Sequence, residues 1–153
     1  MAGGVVGVDI GSTMLRAVEI DDASKARPTI LRAHEVALPE GSVKRGEVLE
    51  VHTVASAFKR LWAAGGFKSK DIALGIGGQS VIVRDLAVPR MPLAQIKESL
   101  PFQVQDLLPV PVNDAVLDYY PIAEGQGESG PVVNGLLIAA FKQAVTTNVT
   151  AAT

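Results

Sequence analysis

The sequence predicts an α/β protein made of two small units, a mixed sheet with a crossover helix and an α+β module of strand–helix–strand–strand order. Three observations carry this. Short β-branched runs bounded by glycine open the chain, the apolar spacing turns helical over residues 51–62, and a second set of strand and helix patterns begins after Gly78. With 153 residues, 48% of them hydrophobic and 20% charged, the chain folds rather than stays disordered. Its length suits one domain or two subdomains.

Residues 5–10 form an apolar run between glycines and read as a buried strand. Gly11, Ser12 and Thr13 make a tight turn, and residues 14–20 return. Residues 21–27 are polar and break the pattern. Residues 29–38 read as a third strand, closed by Pro39 and a loop around Gly41 and Gly46. Val51, Val54, Ala55, Phe58, Leu61 and Trp62 fall at helical spacing, with Lys59 and Arg60 opposite. Gly65 and Gly66 supply the left-handed stop. Residues 71–76 return as a strand ending in Gly77 and Gly78, which makes the sheet mixed.

The second unit opens with a strand at residues 81–88, stopped by Pro89 and Pro92. Leu93, Ile96, Leu100, Val104, Leu107 and Leu108 predict a helix over residues 93–108, kinked at Pro101 and ended by Pro109 and Pro111. Residues 115–122 and 132–141 are further strands, and residues 124–130 between them read as a flexible polar hairpin loop. Residues 142–153 are weakly helical, with Ala144, Val145 and Val149 as the apolar positions. They end without a cap, as expected of a portion of a longer protein.

Composition excludes several functions. Fourteen basic residues against 16 acidic ones leave a net charge of −2, so no basic field exists for nucleic acid. The absence of cysteine removes disulfides, thiolate zinc sites and a cysteine nucleophile. His34 and His52 are too few for a histidine-built metal centre. The longest apolar run, residues 136–141, is far short of the ~20 residues that span a bilayer. Residues 1–4 lack a basic region, so no signal peptide is expected and the domain reads as soluble and cytoplasmic.

The sharpest chemical signal is Val8-Asp9-Ile10-Gly11-Ser12-Thr13-Met14-Leu15-Arg16. A strand–turn–strand with glycine at the turn can aim backbone N–H groups at an anion, because no side chain blocks its approach. Ser12 and Thr13 add hydroxyl donors, Arg16 could bring a guanidinium to a phosphate, and Asp9 could hold a hydrated Mg²⁺. The same residues also fit a plain hairpin turn. A P-loop is excluded, since no Gly-x-x-x-x-Gly-Lys-Ser occurs, and no helix follows the turn as a dinucleotide fingerprint requires.

Asp9-Ile10-Gly11-Ser12-Thr13 with Arg16-Ala17-Val18-Glu19 resembles the first phosphate motif of the actin-like ATPase superfamily. Residues 80–89 (Ser-Val-Ile-Val-Arg-Asp-Leu-Ala-Val-Pro), Met91-Pro92, Phe102, Leu107-Leu108-Pro109-Val110-Pro111 and Val116-Leu117-Asp118-Tyr119 are similar to the PilM family of type IV pilus assembly. The resemblance covers nearly the whole chain. It implies the first half of an actin-like (ribonuclease H-like) fold, with subdomain 1A at residues 1–79, an inserted subdomain 1C at 80–141, and the start of a returning 1A helix at 142–153. It implies ATP and Mg²⁺ as ligands of the full-length protein, with Gly11, Ser12, Thr13 and Arg16 at the phosphates and Asp9 on the metal through water. No second Asp-x-Gly-x-Gly hairpin follows residue 78, so this chain holds at most half of that site and is not expected to retain nucleotide tightly.

The resemblance further implies the PilN N-terminal tail as partner, with other pilus platform and motor proteins, at the cytoplasmic face of the inner membrane and touching lipid only through partners. Arg84, Arg90, Leu107, Leu108 and Val110 are the expected partner groove, between the inserted module and the first subdomain. Leu107 is expected to pack the module's own core. The role is binding and assembly rather than rapid turnover. The alternatives are an FtsA-like division filament protein and an actin-fold ATPase or kinase fragment, although no acidic base or substrate pocket is identifiable for a kinase. Self-association is expected through the inward side of the 51–62 helix and the segment from Gln143. Glu47, Glu50, Asp21 and Asp22 read as solvated carboxylates, Phe58 and Trp62 as core, and Gly75, Gly77 and Gly78 as a hinge rather than a phosphate loop.

Overall fold

The computed structural model describes residues 4–153; Met1, Ala2 and Gly3, on which the absence of a leader was argued, lie outside them. Two compact units are present, one comprising residues 4–79 with 144–153 and the other residues 80–143. The first carries a four-stranded sheet in the order β3-β2-β1-β6, from β1 (Val5–Ile10), β2 (Met14–Asp21), β3 (Thr29–Ala37) and β6 (Ile72–Leu74). Pairing is antiparallel except between β1 and β6. Alternation along β1 and β2 sends Val6, Val8, Ile10, Leu15 and Ala17 to one face. Helix α1 (Val51–Gly65) covers that face with Val54, Ala57, Phe58 and Leu61. It ends as the glycine pair dictates, with Gly66 in the left-handed region at φ 66°.

The segment read as a loop around Gly46 holds a small hairpin, β4 (Val43–Lys44) and β5 (Glu47–Val48). Both residues of its turn have positive φ, 55° at Arg45 and 82° at Gly46, the signature of a type I′ turn. Two valines at a time gave no periodic signal. The strand expected at 71–76 is confined to Ile72–Leu74, because only that stretch pairs with Val6–Val8.

The second unit is an antiparallel sheet in the order β7-β9-β8, with β7 (Val81–Pro89) at one edge, β8 (Ala115–Gly127) at the other and β9 (Gly130–Phe141) between. Helix α2 (Leu93–Gln103) lays Ile96 and Leu100 on a core of Val88, Val104, Tyr119, Val133 and Leu137. It stops five residues short of the expected end. Pro101 offers no N–H to the preceding turn, the last helical bond runs from Val104 N–H to Leu100 O, and the next is a tighter turn from Leu107 N–H to Val104 O. Leu107 consequently turns outward, 37% exposed, rather than into the core, while Leu108 packs partly against it.

Residues 124–130 are not a flexible loop. β8 and β9 stay paired to Gly127 and Gly130, leaving a two-residue turn. The glycines there make room for neighbours: a Cβ on Gly127 would lie 2.8 Å from a Val132 methyl carbon, and one on Gly125 2.8 Å from the Asn134 amide.

Helix α3 (Lys142–Ala152) buries Ala144, Asn148 and Ala151, while Val149 points outward. The expected buried set therefore gives way to one centred on a polar residue. The inward face of α1, expected to be an open patch, is closed by the sheet, and Ala151 joins the same core. Among the described residues no helix is long and apolar enough to cross a membrane.

Candidate functional site

Asp9 lies at the carboxyl end of β1, paired across the hairpin with Arg16. Gly11 closes the turn by donating its N–H to Met14 O at 3.0 Å, and a Cβ on Gly11 would stand 2.9 Å from that same oxygen. Ser12 and Thr13 are exposed at the tip, and Thr13 O accepts the Leu38 N–H at 2.8 Å, which ties the hairpin to the end of β3. The Arg16 guanidinium donates to a Glu35 carboxylate oxygen at 2.9 Å and lies 3.9 Å from Asp9. All three side chains are more than half exposed, so these pairs contribute little to stability. Any anion at the turn competes with Glu35 for Arg16.

The parallel strand β6 ends beside Asp9. Gly75 N–H donates to Val8 O at 3.0 Å, extending the pairing by one step before the chain turns through Ile76, Gly77 and Gly78. Asp9, Ile10, Gly46, Gly75, Ile76, Gly77 and Gly78 enclose a hollow of about 270 Å³. It sits where the carboxyl ends of two neighbouring parallel strands meet, the usual position of ligands in open α/β sheets. Gly11, Ser12, Thr13 and Arg16 flank the hollow without lining it. The structure thus joins Asp9 to the glycine run expected to be a hinge, and adds Gly46 from the β4–β5 turn. A glycine run directly after a parallel strand was the available signal. Among the described residues no three His, Cys, Asp or Glu side chains converge as a metal set, so Asp9 would serve as a single carboxylate on a hydrated ion.

Glu19 was not singled out from the sequence. It is 2% exposed on the core face of β2, hydrogen-bonded by the Arg32 guanidinium and by the backbone N–H groups of Ser69 at 2.9 Å and Lys68 at 3.4 Å. Burial pushes its carboxyl up, but the Arg32 bond and the two backbone donors together hold it below the usual range.

In the second unit the expected groove residues divide. Arg90 precedes α2, donates its backbone N–H to Pro131 O at 3.1 Å and pairs with Glu124 at 3.4 Å. Leu107, Leu108 and Val110 follow α2, so its 11 residues, about 16 Å of helix, stand between the two sets. Arg84 is exposed midway along the edge strand β7. The concave apolar surface is at the Arg90 end, a groove of about 340 Å³ with Met91, Leu93, Ile96, Ile122 and Val133 in its walls. Asp118, exposed on β8, is held below the ordinary carboxylate range by Lys97 at 3.0 Å and by the Tyr119 N–H.

The sequence profile of the family described as type IV pilus assembly protein PilM matches residues 7–153. Among solved structures, a "PilM-PilN type IV pilus biogenesis complex" superposes with a TM-score of 0.82 at 25% identity, over 97% of this chain and 43% of that one. The cytoplasmic domain of EpsL, an inner-membrane component of the Vibrio cholerae type II secretion system, superposes over 97% of this chain and 52% of its own with a TM-score of 0.53 at 8% identity, a likeness of fold alone. No curated protein matches the sequence. The chain spans less than half the length of the pilus protein it matches.

Proposed function

The chain belongs to the PilM family of type IV pilus assembly proteins, and we propose that it serves as a docking component that binds the cytoplasmic N-terminal tail of PilN at the inner membrane. The observation that carries this reading is the superposition of 97% of the chain on a protein solved in complex with PilN. The second unit offers the surface chemistry an extended tail needs. β7 is a sheet edge with backbone groups available to a further strand, Arg84 and Arg90 can meet a carboxylate, and the groove at Met91, Leu93 and Ile122 accepts apolar side chains.

ATP with Mg²⁺ is proposed as a conformational ligand of the full-length protein. The N–H groups of the hairpin turn and the glycine run would receive phosphate oxygens, and Asp9 would hold the hydrated ion. Such a ligand shifts populations of partner-competent states by its differential affinity and requires no fast turnover. Through PilN the protein would link the pilus motor to the membrane platform.

A synthetic PilN N-terminal peptide titrated into ¹⁵N-labelled chain tests the docking role. Amide shifts are expected along residues 81–96 and 120–124. Shifts confined to residues 9–16, or none, would overturn the assignment. Calorimetry with Mg-ATP should give a dissociation constant no tighter than millimolar for this chain, about −4 kcal/mol. A micromolar constant would defeat the half-site reading.

A further inference from the structure

Asn148 is 3% exposed, and both ends of its amide are committed to the β4–β5 hairpin. Its Oδ1 accepts the Val48 N–H at 3.0 Å, and its Nδ2 donates to Gly46 O at 2.9 Å. Helix α3 thus grips a turn about one hundred residues earlier in the chain from both sides. The gripped turn is itself locked to the glycine run. A Cβ on Gly46 would lie 2.7 Å from Gly77 O, and one on Gly78 would lie 2.1 Å from Arg45 O. Gly46 and Gly78 both have positive φ, 82° and 77°, so no other residue suits either position without strain. The Arg45 guanidinium adds a bond to Gln79 Oε1 at 3.0 Å. Gly46, Gly77 and Gly78 line the hollow at Asp9.

We infer that Asn148 is a positioning residue: by holding the Arg45–Gly46 turn against Gly77 and Gly78, it sets one wall of the anion site at Asp9. This rests on the proposed nucleotide role of that hollow. The chemistry favours an amide here. A buried carboxylate could not donate to the Gly46 carbonyl, and an aliphatic side chain would leave both backbone groups without a partner. Neither bond reaches a ligand, so the effect passes through the turn.

The test compares Asn148→Ala and the isosteric Asn148→Asp with the wild-type 153-residue chain by ¹⁵N NMR, first without nucleotide and then with Mg-ATP. The expected result in the nucleotide-free spectra is displacement of the Gly46, Gly77 and Gly78 amides in both variants, with residues 5–20 and 54–61 unmoved. Should Asn148→Ala not fold, Asn148→Asp, which keeps the acceptor for Val48, carries the comparison. On titration, both variants should weaken Mg-ATP binding, Asn148→Asp by about fivefold, the effect of the one hydrogen bond it loses, and Asn148→Ala by at least as much. Displacement confined to Val48 and α3, with Gly77 and Gly78 unmoved, would overturn the inference. A wild-type spectrum indifferent to Mg-ATP would count against the nucleotide reading alone, since the nucleotide-free comparison still decides whether Asn148 sets the wall.

Discussion

At the scale of single residues, the proposed site separates groups placed to meet a ligand from groups that hold the frame. Asp9 is solvent-facing at a strand end, so Asp9→Ala in a full-length family member should lower Mg²⁺-dependent nucleotide affinity and leave the melting temperature unchanged. Arg16→Ala should cost roughly 1.5 kcal/mol of affinity and no more than about 3, because Glu35 already engages the guanidinium. Calorimetry of both variants checks this, and wild-type affinity in both would reduce the hairpin to a turn. Glu19 is a frame residue. Its folded carboxyl titrates below the ordinary value of 4.5, so its contribution to stability is fully present above that value and is lost as pH falls through the lower folded one. Glu19→Gln should therefore lower the melting temperature at pH 7 and flatten its decline between pH 5 and 3. Parallel acid limbs in the two proteins would contradict the assignment.

At the scale of elements, packing decides where periodicity is ambiguous. On α2, Leu100 is 1% exposed and Phe102 78% exposed. Leu100→Ala should cost about 2–5 kcal/mol in a denaturant melt, while Phe102→Ala should stay within about 0.5 kcal/mol. In the sheet above it, the Tyr119 hydroxyl sits 2.8 Å from Leu86 O and 3.0 Å from Val133 O, so its one proton is shared between two backbone acceptors. The ring fits only because Gly135 has no side chain: a Cβ there would lie 2.7 Å from the Tyr119 hydroxyl and 2.4 Å from Tyr120 O. Gly135→Ala should destabilise the second unit by about 1–3 kcal/mol through overpacking. An unchanged melt would mean that β8 and β9 yield more readily than a paired sheet should.

At the scale of the whole molecule, the α1 face expected to be open is covered, Val149 in the segment from Gln143 is 45% exposed, and further exposed apolar surface lies elsewhere. On the first unit it is the sheet face opposite α1, where Val18 and Ile30 are 37% and 69% exposed, with Ile30 on the edge strand β3. On the second it is Val83, Val116 and Tyr120, at 55%, 45% and 63%. Surfaces of this kind favour association. Sedimentation of the chain should show a concentration-dependent average mass, reduced by Ile30→Lys. A strict monomer at high concentration, with no change on substitution, would exclude association through β3.

The sequence by itself determined the α/β class, the hairpin at Asp9–Arg16, the α1 stripe with its glycine stop, and the family, because these rest on local pattern: alternation, helical period and turn residues within a few positions of one another. It could not determine how far α2 runs, since the apolar pattern continues to Leu108 while the backbone leaves the helix at Val104 for a tighter turn. Nor could it show that residues 124–127 are a strand, since glycine there looks like freedom until Val132 and Asn134 stand over it. The burial of Glu19 and the grip of Asn148 on Gly46 were equally hidden, because a polar residue in a strand or helix reads as solvent-facing until distant backbone groups arrive to bond it. Only the tertiary structure brought Gly46, Gly75–Gly78 and Asp9 to one hollow, for the parallel pairing of β1 with β6 and the lock between two glycine turns are contacts between segments that no local pattern encodes.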